Sequence, residues 1–171
     1  MKKYFSPLYL LFIVIITVQA QQDTESQLKA LGIELPAMGP PMGNYVKYVH
    51  SGNLVFLSGH GPTGEEFNGK VGIDLTMEEG YNAARSTAIN LLATLKTAVG
   101  DLNRVKRIVK VTGMVNSAPD FYEQPKVVNG CSDLLTAVFG DKGKHARAAV
   151  GMASLPGNIA VEIEMIVEVE E

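Results

Sequence analysis

Arg147 is the residue of this chain best suited to hold a small acid. It lies in the run His145-Ala146-Arg147-Ala148-Ala149-Val150-Gly151-Met152-Ala153, and after Gly157-Asn158 comes a second run, Val161-Glu162-Ile163-Glu164-Met165-Ile166-Val167-Glu168. Both runs read as strands, and the Gly-Asn pair predicts a tight turn that joins them as a hairpin. Side chains alternate faces along a strand. One face of the first run therefore carries Arg147, Ala149, Gly151 and Ala153, bare apart from the guanidinium. In the second run Val161, Ile163, Met165 and Val167 share one side, and Glu162, Glu164 and Glu168 the other. A guanidinium can grip a carboxylate through two parallel hydrogen bonds. A nearby glutamate can serve as a general base toward water. The competing reading is a cross-strand ion pair from Arg147 to Glu162 or Glu164 that only pairs strands. The residues alone leave both open.

Other reactive side chains point to less. His50, His60 and His145 fit no metal-ligand spacing, so no metal is expected. Cys131 is the only cysteine, which rules out an intrachain disulfide. Its neighbours Gly130, Ser132 and Asp133 offer no cation to activate it, so it reads as a buried helix residue. Ser58 has no adjacent base. His60, in Ser58-Gly59-His60-Gly61-Pro62, either tunes the charge of a cleft or is a loop histidine satisfied by backbone. His60 and His145 could form an acid-base pair for RNA cleavage, a reading that the charge balance opposes.

The elements that must position these groups follow from pattern. A short helix is expected near Ser26 to Leu31, then an extended Pro/Gly/Met arm to residue 43. Tyr45 to Val49 and Leu54 to Ser58 read as strands around a Ser51-Gly52-Asn53 turn. Thr76-Met77-Glu78-Glu79 is a capping box, and Ala84, Ala88, Leu91, Leu92, Leu95 and Val99 recur at helical spacing until Gly100 stops the helix. Val- and Ile-rich residues 104 to 115 predict a central strand. A second long helix is expected from about Asn116 to Phe139, with Pro125 marking either a break or the true first turn. The order is β-β-α-β-α-β-β, an α+β domain whose two main helices cover one face of the sheet. Arg147 and its small neighbours are expected on the opposite face, against another copy of the chain.

Composition sets the boundaries. Lys2 and Lys3 precede an apolar run from Leu8 to Val18, and Val18-Gln19-Ala20 offers a small-residue cleavage site. We expect a cleaved export signal over 1–20, a polar arm over 21–43 and one domain over 44–171, in a periplasmic or secreted protein. The apolar run is shorter than the roughly 20 residues that span a bilayer, so no stable membrane insertion is expected after cleavage. Removing residues 1–20 takes two of the 15 Lys+Arg and none of the 18 Asp+Glu, so the net charge falls from −3 to −5. That balance argues against nucleic acid as a partner. The one modest basic cluster, Arg104 to Lys110, reads as a solvated strand edge.

Taken in order, these motifs resemble the RidA family, the YjgF-like imine deaminases formerly labelled L-PSP endoribonucleases. The resemblance runs from about Gly43 to Glu168. It is carried by Gly43-Asn44-Tyr45-Val46, Gly52-Asn53, Ser58-Gly59 with Pro62, Asn82 to Arg85, Asp120-Phe121, Val128-Asn129, Ala146-Arg147, Leu155-Pro156 and Glu162-Ile163-Glu164. It implies a chorismate-mutase-like fold and a homotrimer with clefts between subunits, free of metal and cofactor. It further implies hydrolysis of small 2-imino acids to 2-keto acids and ammonia. Arg147 would hold the substrate carboxylate and Glu162 would orient water, with Tyr45, Ser58 and Asn129 lining the cleft and the Gly59 backbone available to donate. This sequence departs from the family pattern at Ala149, where cysteine is usual, at Ser132, near a customary aromatic, and at Gly151, where a bulkier polar residue is usual. A roomier, less polar cleft follows. The alternative is a non-catalytic trimer of the same fold that binds a small carboxylate or apolar ligand.

Overall fold

The computed structural model describes residues 23–170, so the expected signal over 1–20 lies outside the described residues. The chain runs through α1 (Thr24–Ala30), β1 (Tyr48–Ser51), β2 (Leu54–His60), α2 (Met77–Val99), β3 (Val105–Asn116), α3 (Gln124–Phe139), β4 (Ala146–Met152) and β5 (Val161–Val169). Among the described residues no helix is long and apolar enough to cross a membrane.

Local chemistry sets the helix bounds. Thr76 Oγ1 accepts from the Glu79 amide while Glu79 Oε2 accepts from the Thr76 amide, so two orphan donors at the start of α2 are satisfied together. Gly100, at φ 77°, ends the helix. The second long helix begins later than the pattern suggested. Residues 117–123 form a loop, and Pro125 stands in the first turn of α3, where its missing N–H costs nothing. Gly130 has a packing reason, since a β-carbon there would run into the Tyr81 carbonyl of α2. The glycine lets the two helices touch backbone to backbone.

The sheet order is β1-β2-β5-β3-β4. This overturns the expected terminal hairpin. β4 pairs in parallel with β3, β5 pairs antiparallel with β2 and β3, and β3 therefore separates the two runs. The link between β4 and β5 is a crossing segment. Leu155 anchors it by burial, the Ala160 amide donates to Phe67 O, and the Gly69 amide donates to Asn158 O, so the loop before α2 carries the chain past β3. The β3-α3-β4 unit is the parallel crossover that such a pairing requires.

One face of the sheet is core. Val55, Leu57, Val111, Val115, Ile163, Met165 and Val167 are buried there under α2 and α3 with Ala84, Ala88, Leu91, Leu92, Leu95 and Leu135. Among the described residues nothing covers the other face, which presents Val49, Phe56, Thr112, Glu164, Ile166 and Val150, of which Val49 is 53% exposed, Val150 43% and Phe56 40%. Residues 105–109 of β3 run beyond the β4 pairing, which starts at Lys110, and Arg104, Lys106, Arg107 and Lys110 are exposed, so the basic cluster is solvated as expected. There Lys106 pairs with Glu168 at 2.7 Å, and Arg104 donates to the carbonyls of Val99 and Glu170.

Candidate functional site

The candidate residues fall into two groups on opposite faces of the sheet. In β4, Arg147 is in register with the buried Val111, and Ala149 with Gly113, whose missing β-carbon would strike Val128 of α3. Arg147 therefore lies on the helix-covered face at the sheet edge, contrary to the expectation that it projects from the bare face. Of the small residues beside it, Ala149 joins the core, and a β-carbon at Gly151 would meet the Gln124 side chain at the start of α3. Glu162 and Glu164 alternate with the buried Val161, Ile163 and Met165 and so occupy the open face. An intramolecular Arg147–Glu162 or Arg147–Glu164 pair is excluded. From the register, Glu162 sits two strands from β4 and three residues along, a backbone separation of roughly 14 Å from Arg147 with side chains aimed apart.

The arginine half is built by α3. Arg147 Nη1 donates to Asn129 Oδ1 at 2.8 Å and to Ser132 Oγ at 3.0 Å. Both N–H bonds of that nitrogen are then used. Among the described residues Nε and Nη2 have no protein partner, and Arg147 is exposed, so an edge with two parallel donors is left for a ligand. Asn129 accepts through Oδ1, and among the described residues its amide nitrogen has no hydrogen-bond partner, which leaves it as a further donor. Sequence reasoning missed Ser132 as a partner and treated His145 only as an RNA-cleaving acid. The signal available was spacing, because residues 129 and 132 lie one turn apart on a helix. Cys131, between them, is fully buried, and burial pushes its thiol up to about 12 despite the nearby Arg147 charge. It is a core residue, as expected.

The glutamate half is built by a β-bulge. Leu57 pairs with Met165 and His60 with Ile163, so Ser58 and Gly59 together oppose Glu164. The bulge brings the Gly59 backbone against the Glu162 side chain. A β-carbon at residue 59 would collide with the Glu162 carboxyl and lie 2.8 Å from its Cδ, so only glycine admits the carboxylate here. Partial burial raises the Glu162 pKa above the ordinary glutamate value, and the Glu164 charge raises it further. Ser58 Oγ donates to Val46 O at 2.7 Å, which ties the bulge to the segment carrying Tyr45, half exposed just before β1. Tyr45 thus lies outside the strand predicted for it. His60 is not a cleft residue: it is buried, with Nδ1 2.7 Å from Ser58 O and Nε2 2.7 Å from Thr94 Oγ1. Among the described residues no three His, Cys, Asp or Glu side chains gather as a metal cage.

The chain as a whole is matched by sequence. A family signature described as "YjgF/chorismate_mutase-like, putative endoribonuclease" covers residues 25–169. The chain belongs to the YjgF, or RidA, family. It is similar to Protein TCP17 of Trypanosoma cruzi, at 46% identity over 157 residues that span 90% of this chain and 98% of the relative. It is 29% identical to the 2-iminobutanoate/2-iminopropanoate deaminase of Dermatophagoides farinae, over 81% of this chain and 95% of that one. The crystal structure of Atu1372 from Agrobacterium tumefaciens, a protein of unknown function, superposes with a TM-score of 0.80 at 45% identity, covering 86% of this chain and 92% of that chain. The YjgF membership agrees with the chorismate-mutase-like α+β fold described above.

Proposed function

We propose that this YjgF-family protein hydrolyses small 2-imino acids to 2-keto acids and ammonia, in sites completed by two copies of the chain. The observation that carries this reading is the split of the machinery across the sheet. A ligand receiver and a raised-pKa carboxylate that cannot meet within one protomer become a site once the open face and edge of one copy face those of another. The uncovered apolar face supplies the area for that contact, and a closed homotrimer is the assembly proposed.

In the proposed reaction Arg147 of one protomer holds the substrate carboxylate through Nε and Nη2, with Asn129 Nδ2 beside it. Glu162 of the neighbouring protomer, over Gly59, takes a proton from water. The water oxygen bonds to the imine carbon as the C=N electron pair moves onto nitrogen. The proton held by Glu162 passes to that nitrogen to give the carbinolamine; Glu162 then takes the hydroxyl proton as the C=O bond forms and hands it to the nitrogen as the C–N bond breaks, so that ammonia leaves. The atoms balance as imino acid plus water giving keto acid plus ammonia. Charge and positioning supply the rate, since the guanidinium fixes the acid beside the electrophilic carbon and the bulge fixes the base. The raised pKa of Glu162 makes it a better proton acceptor near neutrality than an ordinary glutamate.

The test is ammonia release from 2-iminobutanoate generated in situ. Native protein is expected to accelerate it, Arg147→Ala to lose most of that acceleration, and Glu162→Gln to lose turnover while still binding a 2-keto acid. Equal rates for native protein and Arg147→Ala overturn the reading. A native protein that binds a keto acid without any turnover leaves the non-catalytic carboxylate binder instead. Export to the periplasm or medium belongs to the same proposal, and N-terminal sequencing of the secreted protein checks it.

A further inference from the structure

The arginine half contains a polar chain that extends beyond the two groups touching Arg147. His145 Nδ1 lies 2.6 Å from the Gly143 carbonyl oxygen. A carbonyl only accepts, so Nδ1 carries the proton and Nε2 presents a lone pair. That lone pair is 3.1 Å from Ser132 Oγ. The Ser132 hydroxyl proton therefore goes to His145, which turns the serine lone pairs toward Arg147 Nη1 at 3.0 Å. Burial holds the His145 pKa below its ordinary value, and the Arg147 charge acts in the same direction against the Gly143 carbonyl, which favours the neutral ring. Lys144 and Asp141 pair with each other at 2.7 Å in the turn before β4, and Arg107 lines the same shallow hollow from β3.

We propose that His145 is a positioning residue for Arg147: through the Ser132 hydroxyl it fixes the Nη1 edge of the guanidinium, so that the Nε–Nη2 edge stands ready for a carboxylate. The proposal rests on Arg147 being the carboxylate receiver. Its physical basis is preorganisation. An arginine side chain free to rotate loses that freedom on binding, whereas one already fixed on two acceptors does not. Asn129 Oδ1 can only accept, but a serine hydroxyl can rotate its proton elsewhere, including back to a carbonyl of its own helix. The histidine lone pair removes that choice. Ser132 and His145 thus form a directed hydrogen-bond relay at the back of the guanidinium.

The experiment is equilibrium binding of 2-oxobutanoate by calorimetry, a readout that needs no turnover. Ser132→Ala and His145→Ala are each expected to weaken binding about fivefold, the size of one hydrogen bond's net contribution. The double variant is expected to bind as Ser132→Ala does, because His145 acts only through that hydroxyl. His145→Gln, whose side-chain oxygen can accept from Ser132, is expected to restore affinity to within about twofold of native. Native-like binding by His145→Ala, additive losses in the double variant, or a His145→Gln no better than His145→Ala each overturn the proposal. Native protein that binds 2-oxobutanoate but releases no ammonia from the imine defeats the deaminase reading and leaves this assignment standing. Native protein that binds no 2-oxo acid defeats both.

Discussion

Replacing Arg147 by lysine keeps the charge and removes the fork. In the native site Nη1 is committed to Asn129 Oδ1 at 2.8 Å and Ser132 Oγ at 3.0 Å, and only Nε and Nη2 remain for a ligand. A lysine ammonium has three donors on a single atom, so bonds to the same two acceptors leave one for the carboxylate. One charge-assisted hydrogen bond of the bidentate pair is lost, about 2 kcal/mol, or roughly thirtyfold in Kd. Calorimetric titration with 2-oxobutanoate measures it. Arg147→Lys is expected near that loss and Arg147→Ala well beyond it, since alanine removes the charge as well. A lysine variant that binds as tightly as native protein would refute the account, because it would mean the planar edge left open by α3 plays no part in recognition.

Two other substitutions address the glutamate half. Gly59→Ala puts a β-carbon into the space of the Glu162 carboxyl; turnover should fall at least about tenfold while stability drops only about 1–3 kcal/mol, the usual range for overpacking. Parallel activity and denaturation measurements check it, and a fully active variant would contradict the placement of the base. Glu164→Gln removes the second of the two influences that raise the Glu162 pKa, partial burial being the first. Glu162 works ionised, so activity is lost as pH falls through its raised pKa, and the acidic limb of the pH–rate profile should move to lower pH in this variant. An unmoved limb would assign the limb to another group.

Periodicity and capping carried much of the fold. Thr76, Gly100 and the apolar repeat of α2 fixed that helix to within a residue, and the alternation in residues 161–169 correctly separated buried from open positions. Strand adjacency was legible for β1 and β2, which pair around Gly52 as expected, but not for β4 and β5. Gly157-Asn158 has the chemistry of a hairpin turn, but the buried Leu155 and the backbone bonds from Ala160 to Phe67 and from Gly69 to Asn158 are contacts distant in sequence, and they pull the chain across β3. The same non-local pairing set the face of Arg147. Alternation says which residues share a side, and only the β3–β4 register says which side that is. The bareness around Arg147 read as an open surface, whereas its cause is the close approach of α3. Ser132 seemed a gap in a familiar pattern, and its role depended on His145, thirteen positions away and brought near by the β4 register.

In the proposed assembly neither half-site works without a neighbour's other half. Arg147→Ala and Glu162→Gln chains carrying different tags, co-expressed and purified through both tags, test it directly. Each variant alone should be inactive. A closed trimer that carries both tags has one intact-arginine-to-intact-glutamate junction of its three, so activity should return to about one third of native. Hetero-oligomers that form and stay as inactive as their parents would contradict the account.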